Sequence, residues 1–357
     1  MDFTIFGYPR TGKTTLFNLL TGAGIEVKSY DDGKKDTNRR SCPIPDARLE
    51  SIARLYPGKE IKPAVVEYRD LAGISYGEVK DSTFIDHLRR ADGLTHVVRG
   101  FKNPHVPTEK NGSDPDKDIR SMEEELILTD LVQVESRLEK LEAELQKSKN
   151  PDGEKEREIL KHLLTCLEEG HGIKEINLGP SEEKKLRSFA FLSQKPLLHM
   201  VNVDEKNLPF SEDMDVFNIP TKSGSAVMAF CGKVETELME LEEEEKKIFM
   251  KEFGLQEMSA KRYLKKSFEL LSLITFFTIG ENEIKAWTIP QNTTAPQAAG
   301  SIHTDMEKGF IKAEVIPWQK LVHLGSIAAA RENAALRLEG KEYIVQDGDV
   351  ITFRFNR

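Results

Sequence analysis

Cysteine is scarce in this 357-residue chain: Cys42, Cys166 and Cys231 are the three present. They are odd in number, widely separated, and none sits in a C-x-x-C pair. That distribution argues against a disulfide framework and against a thiolate zinc site, and it fits a reducing compartment. Long hydrophobic runs are missing too. No stretch approaches the roughly 18 apolar residues of a membrane-spanning helix, so no membrane segment is expected. The first residues run straight into a strand-like segment without a basic stretch and apolar core, so no signal peptide is expected. Positive charge is not in excess either, because the formal net charge is −9. A binder that grips nucleic acid by overall charge is disfavoured, and no DNA sequence recognition is expected. A local patch such as Lys34-Lys35 with Arg39-Arg40 could still dock on RNA, or could be a solvated loop. What remains is a chain with 38% hydrophobic and 31% charged residues. It is long enough for two or three well-solvated domains.

The most informative stretch lies near the start. Phe3-Thr4-Ile5-Phe6 is a short apolar β-like run, and Leu16-Phe17-Asn18-Leu19-Leu20 is helix-like. Between them stands Gly7-Tyr8-Pro9-Arg10-Thr11-Gly12-Lys13-Thr14-Thr15, with the spacing G-x-x-x-x-G-K-T of a P-loop. Gly7 and Gly12 let the backbone curl until its N–H groups converge on phosphate oxygens. The following helix adds its positive N-terminal end. Lys13 can reach β- and γ-phosphates, and the Thr14 hydroxyl can ligate Mg²⁺. Arg10, Thr11 and Thr15 complete the loop that would surround the nucleotide.

Further boxes follow. Lys28 to Arg40 is polar and lies where P-loop GTPases carry switch I. Thr37 is the threonine there that could ligate Mg²⁺, or it is an ordinary loop residue. Asp46 is a possible N-cap for a short helix over 47–55. Ala64 to Arg69 reads as a strand ending in Asp70-Leu71-Ala72-Gly73, a D-x-x-G box. Asp70 would hold Mg²⁺ through a water, and the Gly73 N–H would sense the γ-phosphate. Ile74 stands where Ras-like enzymes carry the glutamine that orients the attacking water, and an aliphatic side chain cannot hold one. His87 and His96 read as structural. Phe84 to Ala91 reads as a helix and Leu94 to Val98 as a strand.

From Asp118 to about Glu169 the pattern changes. Leu131, Val134, Leu138, Leu141 and Leu145 recur at three–four spacing. Lys149 to Gly153 interrupts them, and Ile159, Leu160, Leu163, Leu164 and Leu167 resume the stripe. An antiparallel helical hairpin is expected, either a partner-binding arm or an insertion whose stripe packs on itself. Pro196 to Val201 is a strand ending in Asn202-Val203-Asp204-Glu205. GTPases commonly place N-K-x-D there, with the lysine across the base and the Asp bonded to guanine. Val203 cannot supply the lysine contact and Glu205 is longer than Asp, so guanine selectivity should weaken and adenine becomes plausible. Phe217 to Pro220 suggests a further strand. Phe230 to Lys233, with Gly232, reads as a base-side loop before an acidic helix over 234–253. Beyond Ile274 come strands at Thr275–Thr278, Ile284–Ile289, Phe310–Ile316 and Val350–Phe355. A loop over Thr294–Gly300 and a helix over Trp318–Leu324 lie among them, the makings of a small β-grasp-like domain.

These C-terminal residues carry a specific likeness. Phe276-Phe277-Thr278-Ile279-Gly280, Ala286-Trp287-Thr288-Ile289, Ala295-Pro296-Gln297-Ala298-Ala299-Gly300, Ile302-His303-Thr304-Asp305, Lys308 to Val315, and Gln346-Asp347-Gly348-Asp349-Val350 closely resemble the TGS domain of the YchF (Obg-like ATPase) family. With the N-V-D-E box, the helical insertion and the D-x-x-G box, the resemblance covers essentially the whole chain. It implies a translation-factor-class P-loop NTPase that usually prefers ATP, is cytoplasmic and associates with ribosomes. It also implies that a hydrophobic residue at Ile74 is normal. The N-terminal half departs from the family. Arg10-Thr11-Gly12-Lys13-Thr14 stands where the family has N-V-G-K-S. The family's switch I stretch is not recognisable between Val27 and Pro43, and its glycine-rich switch II is shortened to Ile74–Val79. Cys231-Gly232-Lys233 replaces its S-A-K, so the chain reads as a divergent paralogue.

The expected fold is therefore α/β, a Ras-like P-loop domain over 1–117 and 185–273 with a helical hairpin inserted at 118–184 and a TGS domain at 274–357. The expected activity is hydrolysis of ATP, or of GTP, at the γ-phosphate, slow without a partner and linked to a ribosome or other ribonucleoprotein. Lys13 and Gly73 would act on the γ-phosphate. Gly7, Arg10, Thr11, Gly12, Lys13, Thr14, Thr15, Asn202, Val203, Glu205 and Gly232 would hold the nucleotide, and Thr14, Thr37 and Asp70 the Mg²⁺. The alternative is a non-hydrolysing, nucleotide-gated interaction module.

Overall fold

A computed structural model describes residues 1–25, 38–74, 81–102, 114–148, 150–210 and 224–356. Thr37, the strand expected at Phe217–Pro220 and the Lys34-Lys35 patch lie outside the described residues. In chain order the elements are β1 (Asp2–Phe6), α1 (Lys13–Thr21), β2 (Asn38–Pro43), α2 (Ala47–Ala53), β3 (Glu60–Lys62), β4 (Val65–Asp70), α3 (Ser82–Arg90), β5 (Gly93–Gly100), α4 (Pro115–Lys147), α5 (Pro151–Glu168), α6 (Pro180–Leu186), β6 (Leu197–Val203), β7 (Ser225–Phe230), α7 (Gly232–Met239), α8 (Glu243–Glu252) and α9 (Ser259–Leu270). They continue with β8 (Leu273–Ile279), β9 (Glu283–Pro290), α10 (Ala295–Ile302), α11 (Thr304–Lys308), β10 (Phe310–Pro317), α12 (Trp318–Leu324), α13 (Ile327–Glu332), β11 (Arg337–Glu339) and β12 (Asp349–Phe355). The chain divides into two compact units, one of Asp2–Arg40 with Glu67–Leu270, the other of Met1, Ser41–Val66 and Leu271–Arg357.

The first unit holds a sheet in the order β2-β4-β1-β5-β6-β7. From β4 to β7 every pairing is parallel. All seven residues of β6 are buried, which a strand covered on both faces of a parallel sheet requires. Parallel strands send their C-terminal ends to one edge. There β1 delivers the P-loop, β4 delivers Asp70 and β6 delivers Asn202.

The inserted helices are α4 and α5. Asp114 caps α4 with Pro115 in its first turn, and Asn150 caps α5 with Pro151 in its first turn. The break is therefore shorter than the sequence suggests, because Asp152 and Gly153 lie inside α5. So short a link forces the helices to run antiparallel. Val134, Leu138 and Leu141 of α4 pack with Leu160, Leu163 and Leu167 of α5 in one buried cluster. The stripe thus closes on its own partner helix. The single acidic helix expected over 234–253 is two helices, α7 and α8.

The second unit holds a mixed sheet in the order β11-β10-β12-β8-β9-β3. Ala295, Ala298 and Ala299 of α10 join Phe276, Val315 and Phe353 in its core. The stretch expected as an Ala/Pro-rich loop is this helix. Its signal is in the sequence, since Thr294 and Gln297 form a capping box and Pro296 sits in the first turn. A second difference concerns Ser41–Val66, which the sequence pattern gives to the P-loop domain with the rest of 1–117. Here that segment belongs to the C-terminal unit. β3 adds to β9 in parallel, Glu60 opposite Glu283 through Lys62 opposite Lys285. Leu49 and Ile52 of α2 are buried with Phe277, Ile284 and Leu321. Arg48 pairs with Asp46 and Asp347 and lies over the Phe277 ring at 5.5 Å. Burial of that apolar face outweighs sequence proximity to the P-loop.

Candidate functional site

The loop between β1 and α1 carries Gly7, Arg10, Thr11 and Gly12. Gly12 adopts φ of 102°, a backbone region L residues rarely enter, and a Cβ there would stand 2.4 Å from Asn202 Nδ2. Gly12 also opens α1, and no side chain caps that helix start, the end of a helix that favours an anion. Arg10 takes φ of 61°, an uncommon choice for a non-glycine residue that costs of order 1–3 kcal/mol and clusters at ligand clamps. Thr11 is buried and its hydroxyl donates to the Tyr8 carbonyl at 3.2 Å. The Lys13 ammonium donates to the same carbonyl at 2.8 Å. Thr15 lies at the mouth of α7, its Cγ2 2.9 Å from where a Gly232 Cβ would be.

Asp70 and Gly73 close the other side. The Thr14 hydroxyl donates to Asp70 Oδ2 at 2.9 Å, and Asn38 Nδ2 reaches the same oxygen at 3.3 Å. Burial pushes the Asp70 carboxyl up from its ordinary value, opposed by the bonds from Thr14 and Asn38 and by the Lys13 charge. Its other oxygen, Oδ1, is buried and has no hydrogen-bond partner among the described residues. An unpartnered buried carboxylate oxygen beside a threonine hydroxyl is a hard, oxygen-only donor set, and those residues fit Mg²⁺. A Cβ on Gly73 would stand 2.8 Å from Pro9 Cα and 3.0 Å from Lys13 Nζ. Backbone cannot give way there, so the D-x-x-G glycine is required by close approach. Ile74 is buried with Phe6, Tyr8 and Phe84, so its side chain belongs to the core and not to a water site.

The Asn202 box is only partly as expected. Asn202 Nδ2 donates to the Thr11 carbonyl at 3.1 Å, and Oδ1 accepts from the Gly232 N–H at 3.0 Å. One amide therefore ties the P-loop, β6 and α7 together and puts Asn202 and Gly232 in one site. Val203 corrects the expectation. It is 2% exposed and joins Val98, Ile119 and Leu208 in an apolar cluster, so its side chain does not meet the base. Strand alternation is the reason, because neighbours on β6 point to opposite faces. Glu205 is exposed and faces Lys233 Nζ at 3.5 Å. Asp204 Oδ2 accepts from the Lys102 N–H at 3.3 Å.

Two sets of residues are not evident from the sequence motifs. Asn38 stands beside Thr37 in the switch I stretch, and its polar side chain is the available signal. His96 and His199 face each other across β5 and β6 with Nδ1 atoms 3.0 Å apart, both fully buried. The Tyr8 ring meets His96 edge-on, and Glu123 of α4 lies 3.5 Å from His199 Nε2. Burial, first of all, lowers both imidazoles, that of His96 well below its ordinary value. Nothing in the spacing of two distant strands announces that pair.

The chain is similar to known proteins over its whole length. Residues 2–137 match the family model described as 50S ribosome-binding GTPase. Residues 273–356 match the model of the C-terminal domain of YchF-type GTPases, described as a protein of unknown function. The chain is 39% identical to the Bacillus subtilis protein named ribosome-binding ATPase YchF, covering 99% of this chain and 98% of that one. It is 33% identical to Obg-like ATPase 1 of Oryza sativa subsp. japonica, covering 99% and 91%. Among solved structures, the YchF GTPase of Schizosaccharomyces pombe superposes with a TM-score of 0.83 at 26% identity, covering 99% of this chain and 97% of that one. By fold and full-length similarity, the chain belongs to the YchF family of Obg-like P-loop NTPases.

Proposed function

We propose that this protein is a ribosome-associated nucleotide hydrolase of the cytoplasm that binds ATP in preference to GTP and cleaves the γ-phosphate. The observation that carries the reading is the convergence of Lys13, Thr14, Asp70, Gly73 and Asn202 at one edge of one sheet. The relatives of Bacillus subtilis and rice are named ATPases, and the former ribosome-binding.

The P-loop N–H groups and the start of α1 would receive the β- and γ-phosphates. Lys13 would exchange the Tyr8 carbonyl for phosphate oxygen. Thr14 and Asp70 would hold Mg²⁺, which when bound neutralises charge on the β- and γ-phosphates. The Gly73 N–H would report the γ-phosphate, and Asn202 would keep the loop in register with the base-side turn at Gly232. Val203 offers only backbone, and Glu205 is engaged with Lys233, so neither residue selects guanine in the manner of N-K-x-D. Ile74 holds no water, so basal attack on the γ-phosphate is slow and a partner must complete the site.

Isothermal titration calorimetry with ATP and GTP, with and without Mg²⁺, tests the reading. The expected result is tighter binding of ATP than of GTP, strengthened by Mg²⁺ and lost in Lys13→Ala. Binding of neither nucleotide would sink it. Binding without turnover under any condition would recast the protein as a nucleotide-gated interaction module.

A further inference from the structure

Among the described residues of the α/β unit, large apolar side chains stand exposed in two places. One is α4, where Leu128 is 58% and Val132 62% exposed. The other is the end of α7 and α8, with Met239, Ile248 at 61% and Phe249 at 41%. Single exposed aliphatics are ordinary, but grouped ones mark interaction surfaces.

The two places differ in charge. Leu128 and Val132 open onto a groove of about 770 Å³ whose floor also includes Ile85 of α3 and Phe189. Along α4 the groove runs from Leu128 through Val132 and Ser136 to Lys140, three turns or about 18 Å. Arg89, Arg137 and Lys140 line it with one carboxylate, Glu125, and Arg137 is held by Glu156 at 2.8 Å, which leaves Lys140 as the exposed cation of the rim. The second place is exposed and acidic. None of the ten residues of α8 is buried, and the helix is about 15 Å long. Between Glu240 and Glu252 there are six glutamates against three lysines. An apolar groove with a cationic rim is a receptor for an amphipathic helix with acidic flanks, and α8 is such a helix.

We propose that α8 of one copy docks in the α3–α4 groove of a second copy, with Ile248 and Phe249 covering Leu128 and Val132 and the α8 glutamates facing Lys140. The contact joins unlike surfaces, so it is heterologous. The groove is one hydrogen bond from the P-loop, because Glu125 in its wall accepts from the Tyr8 hydroxyl at 3.4 Å.

Sedimentation velocity on the full-length protein, from micromolar to several hundred micromolar, tests this. Wild type should sediment faster as concentration rises, less so at high salt. Val132→Glu and Phe249→Glu should each weaken association at least tenfold while leaving the Tm unchanged, since both side chains are exposed. An equimolar mixture of the two variants should associate again, because the intact α8 of Val132→Glu fits the intact groove of Phe249→Glu. A wild-type chain that stays monomeric at every concentration overturns the proposal and leaves the groove to a foreign helix. Variants that associate like wild type, or a mixture that stays monomeric, overturn it as well.

Discussion

Asn202→Ala removes the side chain that joins three parts of the site. The amide is 8% exposed, donates to Thr11 and accepts from Gly232. Alanine leaves a buried carbonyl and a buried N–H without partners. Each orphaned group costs about 1–2 kcal/mol, so the pair comes to about 2–4 kcal/mol. For a unit of this size that lowers the Tm by roughly 5–15 °C. The same change frees Thr11 and with it the curl of the P-loop, so ATP affinity should fall about tenfold or more, equivalent to about 1.4 kcal/mol. Asn202→Asp should not restore it, because a carboxylate oxygen would then face the Thr11 carbonyl. Differential scanning calorimetry and titration with ATP measure both effects. If Asn202→Ala melts within about 2 °C of wild type and binds ATP equally well, the two hydrogen bonds contribute far less than their burial requires.

Gly73→Ala should cut phosphate release about tenfold or more with a smaller effect on folding, because its Cβ meets Pro9 backbone and the Lys13 ammonium; unchanged turnover would refute the close approach as a constraint. Val203→Lys should lower the Tm markedly and fail to improve GTP binding, since it buries an ammonium in an apolar cluster; a gain in GTP affinity at unchanged Tm would show that the side chain faces the base. The buried imidazoles give a pH prediction with a definite sign. Unfolded histidine titrates near 6.5 and both folded values lie lower, so their contribution is intact above about pH 6.5 and declines as the pH falls below it. Asp130, pushed up to about 6 by burial, acts in the opposite sense over part of that range. The clean comparison is therefore wild type against the His96→Phe/His199→Phe double variant in urea melts from about pH 7.5 to about pH 5, where the double variant should lose less stability; equal losses would remove the pair as an acid-sensitive element.

Legibility in the sequence followed the range of the physics. The P-loop could be read because glycine, lysine and threonine are dictated locally by φ angles and phosphate chemistry. The self-packing hairpin could be read because its stripe repeats within a few turns. Asn202 is legible as a strand-end residue, yet the burial of Val203 is not legible from the box alone, because a linear motif says nothing about which face a strand residue takes. Alternation would have said it. The grouping of Ser41–Val66 is not legible in the sequence, because it rests on Leu49, Ile52 and Arg48 meeting residues more than two hundred positions away. α10 hid behind proline and alanine until Thr294 and Gln297 are recognised as a capping box. The His96–His199 pair depends wholly on strand register, which the sequence does not print.

The proposed function requires that this chain hydrolyse ATP in partnership with the ribosome. Phosphate release from ATP and from GTP, measured with and without ribosomes and with Lys13→Ala as the blank, tests it most directly. The predicted result is slow release from ATP, slower release from GTP, stimulation by ribosomes, and no release from Lys13→Ala. Release no faster than that blank, with ribosomes present and ATP bound, would contradict it.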